Sequence, residues 1–152
     1  MSFSGIVVDD SCLTTYADFK LHKYKYVIYK ISDDKKSVVV EATSDDELKL
    51  EEGKPEPTDV YERFMTWLPK TDARFAVYDF DFEIEGGQGG TRNKILFYSW
   101  VPDSAGVKSK MLYASTINTI RDKLEGVAMT IQATEEEDLM PESVKDKMSK
   151  FR

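Results

Sequence analysis

The residue types that most often carry catalysis are scarce in this chain. Its 152 residues include one cysteine, Cys12, and one histidine, His22. A structural zinc site normally needs several such ligands, and nucleophilic catalysis through a Ser-His or Cys-His pair would have to use His22, which lies beside Lys20, Lys23 and Lys25. We therefore expect no metal site, no cofactor and no enzyme activity. Cys12 is expected on a helix face and His22 on the surface.

Two further patterns suggest chemistry only at first sight. "GGQGGTRNK" (residues 86–94) lacks the Gly-Lys-Ser/Thr tripeptide and leads into a predicted strand, whereas a phosphate loop needs a helix N-terminus behind it. It predicts a hairpin turn. Acidic residues alternate along the preceding strand, at Asp79, Asp81, Glu83 and Glu85. Such alternation is more typical of a solvated face than of an acid/base or metal cluster.

Two lysines at the start of a helix are more informative. In "VPDSAGVKSKMLYAS" (residues 101–115), Asp103 or Ser104 is the expected capping residue, and Lys108 and Lys110 follow within about two turns. The positive end of the helix dipole disfavours cations there. The chain carries a net charge of −7, so lysines are not simply what its surface offers. Either their position is chance, since exposed lysines destabilise a helix only slightly, or the two lysines are placed there to bind a partner.

Composition bounds the class of protein. Hydrophobic residues make up 41% and charged residues 32%, which suits one soluble domain. No apolar run approaches the roughly 18 residues of a membrane span, and "MSFSGIVVDDS" lacks the features of a signal peptide, so we expect a cytoplasmic location. The negative total argues against broad nucleic-acid binding. Residues 92–124 nevertheless form a basic island, with six basic and two acidic residues.

Periodicity predicts a mixed α/β domain in the order αββαββαβα, with a central mixed sheet covered by helices. Predicted strands lie at 24–32, 37–43, 74–85, 92–101 and 127–134, and the nearly all-apolar 92–101 strand is expected to be central. Predicted helices lie at Asp9–Leu21, at 58–69, from about Ser104 to Glu125 before Gly126, and at 141–151. The acidic segment 44–57 is expected to be a mobile loop.

Two helices carry further expectations. Thr58 is predicted to cap the 58–69 helix, with Val60, Phe64 and Trp67 on one face. The long helix has two apolar stripes that do not coincide around its axis, and a bend near residues 114–116 would reconcile them. The stripes are Val107, Met111 and Ala114, and Tyr113, Ile117, Ile120 and Leu124.

At this point the residues resemble a known family. "YDFDFEIEGGQGGTRNKILFYSWVPDSAGVKSKMLYAS", the N-terminal "SGIVV" and "LEGVAMTIQAT" are similar in content and order to the actin-depolymerising factor/cofilin family. The resemblance implies one homology domain over residues 1–152, with helices flanking both faces of a mixed sheet. It implies an actin-binding protein that severs and depolymerises filaments, acts as a monomer without a cofactor, prefers ADP-actin and is open to phosphoinositide regulation.

The resemblance also assigns two sets of site residues. The first, implied to contact actin monomers and filaments, comprises Ser4, Gly5, Ile6, Lys108, Lys110, Met111, Ile117 and Arg121. The second, implied to contact a further subunit in filaments, comprises Arg92, Lys94, Asp146, Lys147 and Lys150. Ser4 is the implied site of inhibitory phosphorylation.

One stretch departs from the family pattern. The family commonly carries Ser-Ser-Lys-Asp-x-Leu-Arg-Arg in the long helix, where this chain has "STINTIRDK" (residues 115–123). Ile117, Asn118 and Asp122 replace a usual lysine, aspartate and arginine, and only Arg121 keeps its charge. Ile117 is expected to be partly buried, and Asp122 to draw Arg121 away from a partner. An alternative function is therefore that of a relative that binds filament sides or branch junctions without efficient severing.

Overall fold

The computed structural model describes residues 5–83 and 91–150, with the backbone alone at 82–83 and 91–92. Strands within these residues are β1 (Val7–Val8), β2 (Tyr26–Ile31), β3 (Ser37–Thr43), β4 (Arg74–Glu83), β5 (Thr91–Trp100) and β6 (Val127–Ala133). The helices are α1 (Asp10–Lys20), α2 (Val60–Thr66), α3 (Val107–Arg121), α4 (Glu136–Leu139) and α5 (Pro141–Lys150). None of these helices has the length and apolar content that crossing a membrane requires.

The strands form one mixed sheet in the order β1-β3-β2-β4-β5-β6. β1 pairs parallel with β3 and β5 pairs parallel with β6, while the other neighbours are antiparallel. The expected mixed sheet is thus confirmed. β5 is an interior strand but not a middle one, since β2 and β4 hold the two middle places. The apolar sequence of β5 indicates that both of its faces are buried. Burial on both faces does not require a strand to be in the middle of the sheet.

Helices cover both faces of the sheet, as expected. α1 and α3 pack on one face through Cys12, Tyr16 and Phe19 of α1 and Tyr113 and Ile120 of α3. α2, α4 and α5 pack on the other face, through Tyr61 and Phe64, Leu139, and Val144 respectively. We call these the α1/α3 face and the α2/α5 face.

The cap and the buried face of α2 differ from the prediction. Asp59, and not Thr58, is the N-cap, and its carboxylate accepts a hydrogen bond from the Glu62 amide at 3.2 Å. The residues buried under α2 are Tyr61 and Phe64, whereas Val60 is 42% exposed. Phe64 is thus buried as predicted and Trp67 is partly buried in the same core, but Tyr61 takes the place of Val60.

Two short elements were not predicted. β1 has two residues and α4 has four, too few to show a periodicity. α4 is stabilised instead by a capping box between Glu135 and Asp138, in which the Asp138 carboxylate accepts from the Glu135 amide. The same carboxylate also accepts from the Thr134 amide. α1 begins as expected, with the Asp9 side chain accepting from the Ser11 amide.

Two predicted loops, the glycine-rich turn between β4 and β5 and segment 44–57, are tested only in part by the structure. β4 and β5 pair antiparallel from Arg74 opposite Trp100 to Glu83 opposite Thr91, as a hairpin requires, but the glycine-rich turn lies outside the described residues. Segment 44–57 contains no helix or strand, as expected. Its mobility stays a prediction.

Candidate functional site

The start of α3 has no capping side chain. The helix begins at Val107 after Gly106, three residues later than predicted, and no side chain hydrogen-bonds its first turn as an N-cap. Ser104 was an expected cap, but its hydroxyl donates to the Lys70 carbonyl at 2.6 Å. A turn closed by the Ala105 amide and the Pro102 carbonyl precedes the helix instead. Neither Asp103 nor Ser104 therefore caps α3.

Both candidate lysines lie in the first turn of this uncapped helix. Lys108 is exposed and Lys110 is partly exposed, and the turn contains no acidic residue. Amide groups and lysines thus put positive charge at the same end of α3. The arrangement does not stabilise the helix, and it presents an electropositive surface to solvent.

An exposed apolar stripe runs beside the lysines. Val107 is 73% exposed and Met111 is 67% exposed, and Ala114 is also exposed. One of the two predicted stripes therefore faces solvent, so no bend is needed to bury both. Apolar side chains with cations around them are typical of protein interfaces.

The other stripe fixes how α3 is rotated on the sheet. Tyr113 stacks on Phe75 with ring centroids 4.9 Å apart, and its hydroxyl accepts a hydrogen bond from the Ile31 amide at 2.9 Å. Thr116 and Ile120 are buried further along the helix. Anchoring this side of α3 directs Val107 and Met111 outward.

Ile117 and Arg121 lie at the edge of the exposed side of α3. Ile117 is partly buried against the α1/α3 face, as expected. The Arg121 guanidinium donates to the Asn118 side-chain oxygen at 2.6 Å. Among the described residues it forms no ion pair with Asp122, which is the C-cap of α3. The expectation that Asp122 captures Arg121 is therefore wrong.

The N-terminal segment reaches the same side of the molecule, because β1 contacts α3. Gly5 is exposed with a φ of +73°, a conformation that favours glycine. Ile6 is only 1% exposed and packs in the α1/α3 core, so its side chain anchors the segment and does not form part of the surface. Val7 is 62% exposed, and sequence reasoning missed it. No periodicity in the sequence marks it, because β1 has only two residues. Ser4 lies outside the described residues.

The second set of candidate residues lies on the α2/α5 face. Lys94 is directly opposite Phe80 in the β4–β5 pair, and Phe80 belongs to the core under α2 and α5. Because opposed residues share a face, Lys94 is on this side of the sheet and exposed. Arg92 is two residues earlier in β5, and its side chain lies outside what the structure describes.

Helix α5 contributes the charged residues of this second surface. Val144 is its buried anchor, while Asp146 and Lys150 are exposed and Lys147 is partly exposed. Lys150 pairs with Asp146 across one turn at 3.1 Å. The described members of the two candidate sets are thus on opposite faces of one sheet.

Cys12, which was considered as a catalytic nucleophile, has a structural position in the fold. Cys12 is buried, its thiol donates to the Val38 carbonyl at 3.3 Å, and burial raises its pKa to about 12. A thiol with that pKa is not a nucleophile at neutral pH. Within the described ranges, no group of three or more acidic, His or Cys side chains is arranged to hold a metal ion.

The acidic strand is not uniformly solvated, contrary to expectation. Asp79 is only 6% exposed, and the Nδ1 atom of His22 is 3.2 Å from its carboxylate. Asp81 pairs with Lys25 at 2.9 Å. The segment after α1 lies beside this part of β4, where the Asp79 amide donates to the Lys25 carbonyl at 2.9 Å, and it supplies both partners. His22 is therefore exposed but has a specific contact.

Comparisons with known proteins identify the family of the chain. A family model described as "Cofilin/tropomyosin-type actin-binding protein" matches residues 5–149. The chain belongs to this family. It is 43% identical over 152 residues to cofilin from Ogataea parapolymorpha, covering 99% of this chain and 96% of that one. It is 39% identical over 148 residues to actophorin from Acanthamoeba castellanii, covering 97% of each chain.

A solved structure supports the fold assignment. The crystal structure of cofilin from Streptomyces griseoflavus matches with a TM-score of 0.80 and 35% identity, covering 96% of this chain and 98% of that chain. The family assignment and the sheet flanked by helices, both expected from the residues, are therefore confirmed.

Proposed function

We propose that this chain binds actin monomers and filaments, severs and depolymerises filaments, and so promotes actin turnover in the cytoplasm. Membership of the cofilin family supports the actin-binding part. The observation that carries the proposal is the first turn of α3. There, exposed Val107 and Met111 stand beside Lys108 and Lys110 on a helix end that gains nothing from the two cations.

The two surfaces have different roles in this proposal. What we call the α3 surface is formed at the start of α3 by the exposed Val107, Lys108 and Met111 and the partly exposed Lys110. Gly5 lies beside this surface, and Ile117 and Arg121 lie at its edge. The α3 surface binds one actin subunit in either monomer or filament. The surface of Arg92, Lys94, Asp146, Lys147 and Lys150 binds a second subunit that is present only in filaments. A ligand that bridges two subunits can favour one filament geometry over another, which supplies the free energy for severing without bond chemistry.

Co-sedimentation with actin filaments, combined with imaging of single filaments, tests the proposal. We expect the chain to pellet with filaments and to raise the rate of breaks along them. A parallel titration with ADP-actin and ATP-actin monomers tests the proposed preference for ADP-actin. A chain that neither pellets with filaments nor binds monomers would overturn the proposal.

A second candidate function keeps binding without efficient severing. It is favoured by Ile117 and Asp122, which stand where the family commonly has a lysine and an arginine, so that Arg121 is the basic residue that keeps its charge there. In this case the chain would decorate filament sides or branch junctions, and the imaging experiment would show binding with an unchanged rate of breaks.

Ser4 is proposed as the site of inhibitory phosphorylation. A phosphate adds about −1.5 to −2 charges at the N-terminal segment, whose β1 strand contacts α3. Ser4→Asp should weaken binding to both actin forms, while Ser2→Asp, the control with the same charge, should do much less. Phosphoinositide vesicles that compete with actin would support the proposed lipid regulation through the basic residues.

A further inference from the structure

One segment outside both surfaces holds the entry to α3. Trp100, at the end of β5, donates its indole N–H to the Pro69 carbonyl at 2.6 Å. The Ser104 hydroxyl, in the turn before α3, donates to the Lys70 carbonyl. The Ser109 hydroxyl, within the first turn of α3, donates to the Asp72 carboxylate at 3.3 Å. Residues 69–74, which we call the 69–74 segment, therefore contact three successive points along the approach to the helix.

Arg74 fixes the Asp72 carboxylate in place. Its guanidinium donates to Asp72 at 2.8 Å and to the two Glu41 oxygens at 2.8 and 3.3 Å, while also reaching the Ala73 carbonyl at 2.7 Å. The Arg74 side chain is only 13% exposed. A planar guanidinium held by two carboxylates has little freedom, so it offers a fixed partner to the Asp72 carboxylate, whose side chain is 53% exposed.

Asp72 is ionised at neutral pH. Burial opposes its charge, but hydrogen bonds from Arg74, the Ala73 amide and Ser109, together with the positive charge of Arg74, lower the pKa of Asp72 below its ordinary value. The segment thus brings a negative charge to a helix end that has no acidic residue and no capping side chain of its own. Such a charge stabilises a helix N-terminus.

A cleft lies beside this contact. It has a volume of about 290 Å³ and is lined by Asp72 and Arg74, by Lys108, Ser109 and Tyr113 of α3, and also by residues of β2 and the turn after it, within 30–35. The Asp72–Ser109 hydrogen bond joins the 69–74 segment to the first turn of α3 at the side of this cleft.

We propose that Asp72, held by Arg74, is a positioning residue that orders the first turn of α3 for actin binding. The proposal rests on the proposed function, because it assigns to Asp72 the presentation of Lys108, Lys110 and Met111. Asp72 acts through Ser109 and the helix end, and it needs no contact with actin.

Asp72→Asn and Asp103→Asn form a matched pair for the test. Each removes one negative charge close to the start of α3, but the Asp103 side chain has no hydrogen-bond partner among the described residues. If local charge alone mattered, both changes would act in the same direction on a partner that prefers cations. We expect Asp72→Asn to weaken monomer binding about two- to fivefold, the effect of one charge on a helix terminus. Asp103→Asn should not weaken it.

Hydrogen exchange in the free protein separates a local effect on the first turn of α3 from a change in overall stability. Asp72→Asn should speed exchange of the Lys110 and Met111 amides by a similar factor, with the amides around Ile120 unchanged. Ser109→Ala removes the other end of the same contact and should reproduce the exchange effect. If Asp72→Asn fails to fold, this variant decides the question.

Equal binding by Asp72→Asn and the parent, or equal losses for Asp72→Asn and Asp103→Asn, would overturn the proposal. So would unchanged exchange at Lys110 and Met111. If the parent chain itself binds no actin, the proposed function fails. Exchange in the actin-free protein then still decides whether Asp72 orders the first turn.

Discussion

At the scale of single residues, Lys108 and Lys110 separate binding from folding. Replacing both by Ala should leave the free energy of unfolding unchanged or raise it slightly, since each charge at this helix end costs about 0.3–1 kcal/mol. Binding to actin monomers and filaments should fall about tenfold or more, as for truncated interface hot spots. Co-sedimentation and urea denaturation measure the two effects.

A control pair checks that net charge is not responsible. Lys49 and Lys54 are both exposed in the acidic 44–57 segment, so replacing them by Ala removes the same charge elsewhere. We expect no loss of actin binding from this pair. An unchanged co-sedimentation curve for the Lys108/Lys110 variant would contradict the assignment.

Asp122 carries the second prediction at this scale. It is exposed at the C-cap of α3, where a cation is favoured, so Asp122→Arg should stabilise the protein by about 0.3–1 kcal/mol. Monomer binding should become tighter and more salt-sensitive, because charge complementarity acts on association. Restoring lysine at the partly buried Ile117 would confound the test with lost packing.

Glu125→Arg is the control for Asp122→Arg. Glu125 is exposed beyond the end of α3 and gives the same change in net charge. If both variants tighten binding equally, the effect is a general electrostatic one. If Asp122→Arg leaves affinity unchanged or lowers it, the charge argument fails at this position.

Sequence and structure agree unevenly at single residues. Charged site residues are expected at the surface, because charge and burial seldom coincide without a partner. Those that are exposed, as expected, are Lys94, Lys108, Asp146 and Lys150. The choice between Ile6 and Val7 could not be made, because a two-residue strand shows no alternation beyond itself. Asp79 was misassigned for a different reason. Its partner His22 lies 57 residues away along the chain, so the contact exists only in the fold.

At the scale of elements, the strength of the sequence signal decided what was predicted. The long strands and helices were found because their periodicity repeats over several turns or pairs. α3 began later than expected because Pro102, Asp103 and Ser104 form a turn of their own, with Ser104 bonded to a distant carbonyl. A local capping rule cannot anticipate a competing tertiary hydrogen bond.

α4 and its capping box carry the prediction that depends on pH. The hydrogen bond from the Thr134 amide is the largest cause that lowers the pKa of Asp138, with further help from the Glu135 amide and the charge of Lys147. A lowered folded pKa means that the stabilisation is complete above the ordinary value of 3.8 and is lost as the pH falls through the folded pKa.

Asp138→Ala should therefore lower the free energy of unfolding by about 0.5–2 kcal/mol at pH 7, the usual cost of a lost helix cap. The difference from the parent should shrink as the pH falls below 3.8. Glu137→Ala is the control, since the Glu137 side chain has no hydrogen-bond partner among the described residues. Urea denaturation across pH measures both. A pH-independent difference would show that the carboxylate charge is not the cause.

At the scale of the whole molecule, the sheet separates the two proposed surfaces. α3 lies on one face and α5 on the other, with Tyr113 and Val144 as their buried anchors. The resemblance in the sequence named both sets of residues, but their separation by a sheet could be stated only once the register of β4 and β5 was known. The register places Lys94 with α5, and so predicts that the surfaces can be disabled one at a time.

The last prediction tests that separation. Arg92→Ala combined with Lys94→Ala should weaken filament binding and abolish most severing. The reason is that this chain then loses two cations from the surface proposed to bind the second actin subunit. Monomer binding should stay close to that of the parent, since α3 and its anchoring through Tyr113 are on the opposite face. The Lys108/Lys110 variant is the reciprocal control, because it should impair both actin forms. Equal losses of monomer and filament binding in the Arg92/Lys94 variant would show that the two surfaces act as one, and the two-surface proposal would then be wrong.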